Sequence, residues 1–352
     1  MAALGRDFVV LEQAEVGHEG AGSKGSCRIF RLGYPDAEYV AAASRARDLW
    51  RQLEAEAERR LLLPTPHLTF GPQLRQVHDA MRRAGAPCEL LGSGDVAERY
   101  PGIRVDGPAL LETESAVLAA DEALLALATA GGVATPGRRM RTGTRVTGIA
   151  DDGRRVTLRT TAGEVTARVA IVTAGPQTAA LLAAQAQVPT QATLEQVGYL
   201  APAVPAEQGA HRTPIFIRHG DPSAYGLPVP GSDLYKIGIH HSGPPVSPDA
   251  QDQSADLGLV ARLAEAAERY LPGYLSQPVR TERCVYDNTS DEDFILDRIG
   301  NVVIGCGTSG HGFKFGPLFG EWLAALAGIG SELPPGRFRL ARVTAGSAPA
   351  PG

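Results

Sequence analysis

Apolar positions recur along the chain with two different periods, and the changes of period mark out its elements. Phe8-Val9-Val10-Leu11 is a short apolar run of strand type that follows a glycine-containing turn and ends in Glu12. Over 38–60, Tyr39, Val40, Ala43, Leu49, Trp50 and Leu53 return at helical spacing with charges opposite, which predicts an amphipathic helix. A second helix is predicted over 120–130, then a strand over 143–149 and a hairpin, 155–160 with 164–169, around Ala162-Gly163. The run 169–175 predicts a buried parallel strand that ends in small residues, where a ligand can approach the backbone. Over 187–285 proline and β-type runs such as 213–217 and 234–239 predict a separate sheet, with one helix over 258–270 stopped by Pro272. Asn301-Val302-Val303-Ile304-Gly305 predicts a last buried strand, followed by a glycine-rich loop and a helix over 318–329. Residues 345–352 hold only Ala, Gly, Ser and Pro and are expected to be disordered.

At 352 residues the chain suits two packed or interleaved domains, since single cores stop growing near ~250–300 residues. No apolar run approaches the ~20 residues of a membrane helix, and the N-terminus carries neither a signal nor a transit pattern. The expectation is a cytoplasmic protein with no membrane partner. Cys27, Cys88, Cys284 and Cys306 are scattered without a CxxC pair, which argues against zinc and against a disulfide framework; each is a free or a modified thiol. A net charge of −5 without a basic cluster excludes a nucleic-acid binder and leaves a small ligand.

A strand that ends in a carboxylate, here Glu12, is how the second strand of a dinucleotide-binding fold ends, with the acid on a ribose about 20 residues beyond a GxGxxG loop. Here that loop has no room. Residues 1–4 are expected to be the last turn of the phosphate-binding helix, with the first strand and glycine loop missing. The loop 305–316, GCGTSGHGFKFG, joins a buried strand to a helix and can lie against a flat ligand or favour an anion. Taken alone, it reads equally well as a strand-to-helix turn. Lys236 sits in an otherwise apolar strand with His240 on the same face; an ammonium there must be paired or lose basicity.

Gly310-His311-Gly312-Phe313-Lys314 after the 301–305 strand, preceded by Cys284-Val285-Tyr286 and by DEDFILD at 291–297, resembles the monomeric sarcosine oxidase family, which includes N-methyltryptophan and pipecolate oxidases among the D-amino-acid-oxidase-like flavoproteins. The segment 22–31, GSKGSCRIFR, and Tyr225-Gly226 with Lys236-Ile237-Gly238-Ile239-His240 extend the resemblance over nearly the whole chain. It implies an α/β fold in which a Rossmann-like FAD-binding domain (1–60, 115–186 and 286–344) interleaves with an antiparallel-sheet substrate domain (61–114 and 187–285). The implied activity is oxidation of a secondary amine, in an N-methyl or cyclic amino acid, to an imine by hydride transfer. Oxygen is reduced to hydrogen peroxide, and the resemblance implies a monomer whose partners are its small-molecule substrate and O2.

By the same resemblance Cys284 holds FAD through an 8α-S-cysteinyl bond, for which a thiolate is a suitable nucleophile. Arg31 and Lys314 clamp the substrate carboxylate, and Arg28 stands beside the flavin. Lys236 holds water and assists the reaction with oxygen, His240 positions the amine, and Tyr225 and Tyr286 line the substrate pocket. Glu12, Val146, Gly175, Gly310, His311, Gly312, Phe313 and Lys314 contact the cofactor. Gly175-Pro176-Gln177 replaces the Gly-Ala-Trp run of many relatives. Two other readings stay open: a flavin dehydrogenase or biosynthetic amine or imine oxidase with a larger substrate, and a non-catalytic truncated remnant.

Overall fold

The computed structural model describes residues 7–129, 140–204, 213–250 and 252–345. The helix expected at 38–60 spans Ala37–Ala57. The Asp36 side chain accepts from the Glu38 backbone N–H at its start, and Glu58 ends it in the left-handed region at φ 50°. Its buried face, Tyr39, Val40, Ala43, Ala46, Leu49, Trp50 and Leu53, packs on the helix Gly316–Leu326. Burying a Trp-, Leu- and Val-bearing stripe at about 25 cal/mol per Å² supplies the packing that propensity alone does not.

The expected strand at 169–175 is Ala170–Val172, paired in parallel with Val302–Cys306, which in turn runs antiparallel to Ile295–Ile299. Val10–Leu11 pairs in parallel with Met140–Arg141 in a separate two-stranded sheet. The hairpin forms from Val156–Thr160 and Gly163–Ala167, turning at Thr161-Ala162, so Gly163 opens the second strand instead of sitting in the turn. The expected strand at 143–149 starts later, at Val146, and runs to Asp151. The helix expected to start at 318 starts at Gly316, and a short helix, Ala341–Ala345, takes the first residue of the expected disordered tail. Residues 346–352, and the expected helical turn at 1–4, lie outside the described residues.

An eight-stranded sheet runs in the order Arg280–Asn288, Gln191–Leu200, Tyr235–Ile239, Ala224–Pro228, Ile215–Arg218, His67–Phe70, Ala109–Glu112, Glu89–Leu91. It is mixed, not antiparallel throughout, because Ile215–Arg218 and His67–Phe70 pair in parallel. Leu68, Phe70, Leu200, Phe216, Tyr235, Ile237 and Ile239 pack against Leu263, Ala266, Ala267 and Tyr270 of the helix Leu257–Tyr270. The alternation of a strand sends the intervening residues to the other face. Register then sets them side by side there: Tyr199 and Leu227 opposite Lys236, Tyr225 opposite Gly238, Cys284 opposite Glu195 and Tyr286 opposite Thr193.

Candidate active site

The glycine-rich loop is tied to the strand that carries Cys284 and Tyr286. Asp287 accepts from the backbone N–H of Gly307 through its carboxylate (2.6 Å) and of Ser309 through its carbonyl (2.8 Å). The Trp50 indole donates to the Lys314 carbonyl at 2.7 Å, so the core helix holds the far end of the loop. Gly310 has φ +74°, and a Cβ there would lie 2.0 Å from the Tyr286 ring. Both facts demand glycine. Gly310→Ala is expected to lower stability by about 2 kcal/mol or more and to push Tyr286 out of place, measurable as a lower denaturation midpoint with reduced turnover.

Arg31, Lys236 and Lys314 are only 8%, 7% and 6% exposed, and none has a carboxylate within ion-pair distance among the described residues. The Arg31 guanidinium lies 3.9 Å over the Tyr34 ring, and its Nη1 is buried without a hydrogen-bond partner. Lys314 Nζ donates to the Tyr34 hydroxyl (3.0 Å) and the His311 carbonyl (2.8 Å). Burial, then Arg31, holds the Lys314 ammonium well below the usual lysine range. Burial pushes the Tyr34 hydroxyl up to about 12, so it stays a neutral spacer between two cations. Sequence reasoning missed Tyr34: nothing marks it locally, since its role follows from the return of Lys314 in space.

Lys236 faces the same cavity, 5.7 Å from the Tyr199 ring centroid; burial and then Arg28 lower its basicity. Arg28 donates to the carbonyls of Cys27, Gly22 and Lys24 and lies over the Phe313 ring at 5.5 Å, so its guanidinium is fixed. The Cys284 thiol is raised by burial, while Arg28 and Lys236 pull it back towards ionisation. Gly238 lies directly under Tyr225, whose ring would meet a Cβ there at 2.4 Å. Burial, then His241, His311, Arg31 and Lys314, drives His240 well below the ordinary histidine range and keeps its imidazole neutral. Burial lowers His311 to about 3.

Glu12, Val146 and Gly175 line the same cavity with Phe8–Leu11 and 169–172. Gly175 has φ +54° and open space where a Cβ would project. Glu12 accepts from the Ala14 backbone N–H at 3.1 Å. The cavity, about 2340 Å³, therefore takes in Glu12, Arg28, Arg31, Val146, Gly175, Tyr225, Lys236, His240, Cys284, Tyr286 and the 310–314 loop together. A pocket for a small substrate alone spans about 300–1,000 Å³. Among the described residues His241 and Glu292 also line it, and no local pattern singled them out.

A family profile described as FAD dependent oxidoreductase matches residues 1–326. The chain is 34% identical to the peroxisomal sarcosine oxidase of Mus musculus, over 97% of this chain and 91% of that one. It is 29% identical to the N-methyl-L-tryptophan oxidase of Yersinia pestis (strain Pestoides F), over 92% and 89%. Among solved structures, NikD, described as an unusual amino acid oxidase essential for nikkomycin biosynthesis, superposes with TM-score 0.83 at 26% identity, covering 96% of this chain and 92% of that one. L-proline dehydrogenase from P. horikoshii shares the fold, with TM-score 0.81 at 18% identity over 98% and 93%.

Proposed function

The chain belongs to the FAD dependent oxidoreductases, and from that premise we propose that it oxidises a secondary amine bearing a carboxylate, of the sarcosine, N-methyl or cyclic amino-acid type, and passes the electrons to O2 to give H2O2. The observation that carries this reading is the pair of buried cations, Arg31 and Lys314, facing the cavity with no carboxylate within ion-pair distance of either among the described residues, and with the Arg31 Nη1 left without a hydrogen-bond partner. Buried charge of that kind is costly unless a ligand pairs with it. Sarcosine, pipecolate and N-methyl amino acids, added anaerobically to the FAD-loaded protein, should bleach its yellow absorbance, and readmitted air should restore it with peroxide. Bleaching without peroxide on readmission would favour a dehydrogenase.

The residues present fit FAD. The cavity, about 2340 Å³, is lined by Glu12 after a strand end, by Gly175 and by residues of the large sheet, and its unpartnered buried donors suit an anionic group. Glu12, Val146, Gly175 and the 310–314 loop would hold it. When bound, FAD supplies the two-electron acceptor. In this reading Arg31 and Lys314 bind and orient the substrate carboxylate, Arg31 through a planar fork and Lys314 as a point charge. The neutral His240 accepts a hydrogen bond from the amine N–H, Tyr225 and Tyr286 wall the pocket, and Arg28 and Lys236 present positive charge where negative charge develops. The enzyme acts as a cytoplasmic monomer, with the FAD-binding segments 1–60, 115–186 and 286–344 interleaved with the substrate segments.

Cys284 is the proposed covalent attachment point. Burial raises its thiol, but Arg28 and Lys236 beside it pull it back towards the thiolate that must attack, and those two neighbouring cations support this. Cys306 is buried and raised well above the ordinary thiol range. Acid precipitation of the native protein should leave the yellow colour in the pellet, whereas Cys284→Ala should release it to the supernatant. A Cys284 peptide without added mass from a yellow protein would refute the tether.

A further inference from the structure

His240, His241 and Glu292 bring two imidazoles and a carboxylate to one wall of the cavity. His240 closes the strand Tyr235–Ile239, and His241 follows it at φ +53°; Glu292 sits in the turn between Arg280–Asn288 and Ile295–Ile299 at φ +60°. These left-handed conformations, uncommon for residues with a Cβ, aim the three side chains at one another. Their surroundings fix both segments. The Glu195 carboxylate accepts from the backbone N–H groups of Ser242 and Gly243 at 2.9 Å each, and the Glu292 carbonyl is in hydrogen-bond contact with His311 Nε2 at 3.0 Å. The imidazole rings lie 3.9 Å apart and perpendicular. Their Nε2 atoms are 4.0 and 3.8 Å from the Glu292 carboxylate oxygens, and one ligand atom from each residue lies within 4.8 Å of the others.

We propose that these three residues form a binding site for a divalent first-row transition ion, Zn2+ foremost, whose occupancy inhibits the enzyme. Two imidazoles and one carboxylate suit such an ion and leave further positions for water. Metal–ligand bonds of about 2.0–2.2 Å require the donors to close up slightly. Glu292, whose side chain is exposed, can supply that movement. Binding would engage the His240 imidazole that the proposed reaction needs free and fasten the Glu292 turn to the cavity wall. The cations Arg31 and Lys314 act on the same wall and oppose a dication, so the site is a reversible one and not a structural metal centre.

The test uses the FAD-loaded full chain after chelator dialysis, titrated calorimetrically with ZnCl2 and spectroscopically with Co2+, alongside His241→Ala and Glu292→Gln. One ion per chain is expected, with visible Co2+ bands. Each substitution should weaken Zn2+ binding at least about tenfold and relieve Zn2+ inhibition in parallel, the inhibition being taken relative to that variant's own metal-free turnover, while flavin absorbance stays near wild type. Absence of binding, or equal affinity in both variants, overturns the site. Inhibition that survives in the variants overturns the proposed consequence and points to a thiol. Binding is read without any amine, so its failure is distinguishable from failure of the proposed oxidase activity.

Discussion

Lys236→Met is expected to lower the rate at which oxygen takes up the electrons by about 10²–10³-fold, while substrate-driven bleaching under anaerobic conditions changes far less. The side chain is 7% exposed, faces the cavity, and has no ion-pair or hydrogen-bond partner among the described residues. In the proposed mechanism a charge kept at that expense serves a group that is negative only during the reaction. Stopped-flow mixing of reduced enzyme with oxygen measures it directly. Burial and Arg28 lower the Lys236 basicity. The wild-type oxygen rate should therefore fall as pH rises through a value below the ordinary lysine range, and the fall should vanish in Lys236→Met. Comparable losses in both half-reactions would show instead that Lys236 only supports packing.

Removal of the proposed carboxylate clamp should give the second large effect. Arg31→Met and Lys314→Met are each expected to reduce kcat/KM for amino-acid substrates by about 10²-fold or more, chiefly through KM, and to affect amines without a carboxylate little. Burial and Arg31 hold Lys314 well below its usual range. It loses its charge as pH rises, so KM for a carboxylate substrate should climb with pH in the wild type and stay flatter in Lys314→Met. Tyr34 links the two cations, by cation–π contact to Arg31 and by accepting from Lys314. An equal loss for carboxylate and non-carboxylate amines would remove the clamp from the account.

Much of the fold was legible locally. The helix Ala37–Ala57 follows from apolar spacing with charges opposite, and Leu257–Tyr270 from the Pro272 stop. The parallel strand Ala170–Val172 follows from continuous apolarity and small residues after it. Strand ends were less legible: Val146 begins a strand expected to start at 143, because pairing with Val156–Thr160 decides where a ladder begins. The parallel pair inside the large sheet was not legible at all, since the partners Ile215–Arg218 and His67–Phe70 are far apart in sequence.

What the chain determined by itself is chemistry in kind: which segments coil or extend, that Lys236 puts an ammonium in an apolar strand, and, through the family resemblance, that Cys284 and the 310–314 loop belong to a flavin site. Only the tertiary structure decided their company. It placed Lys314 against Tyr34, stacked Arg31 on the same ring, and closed His241 upon Glu292. The reason is physical: period-2 and period-3.6 patterns specify the direction of a side chain within its own element, whereas contacts between distant elements depend on sheet register and loop closure, which no local spacing encodes.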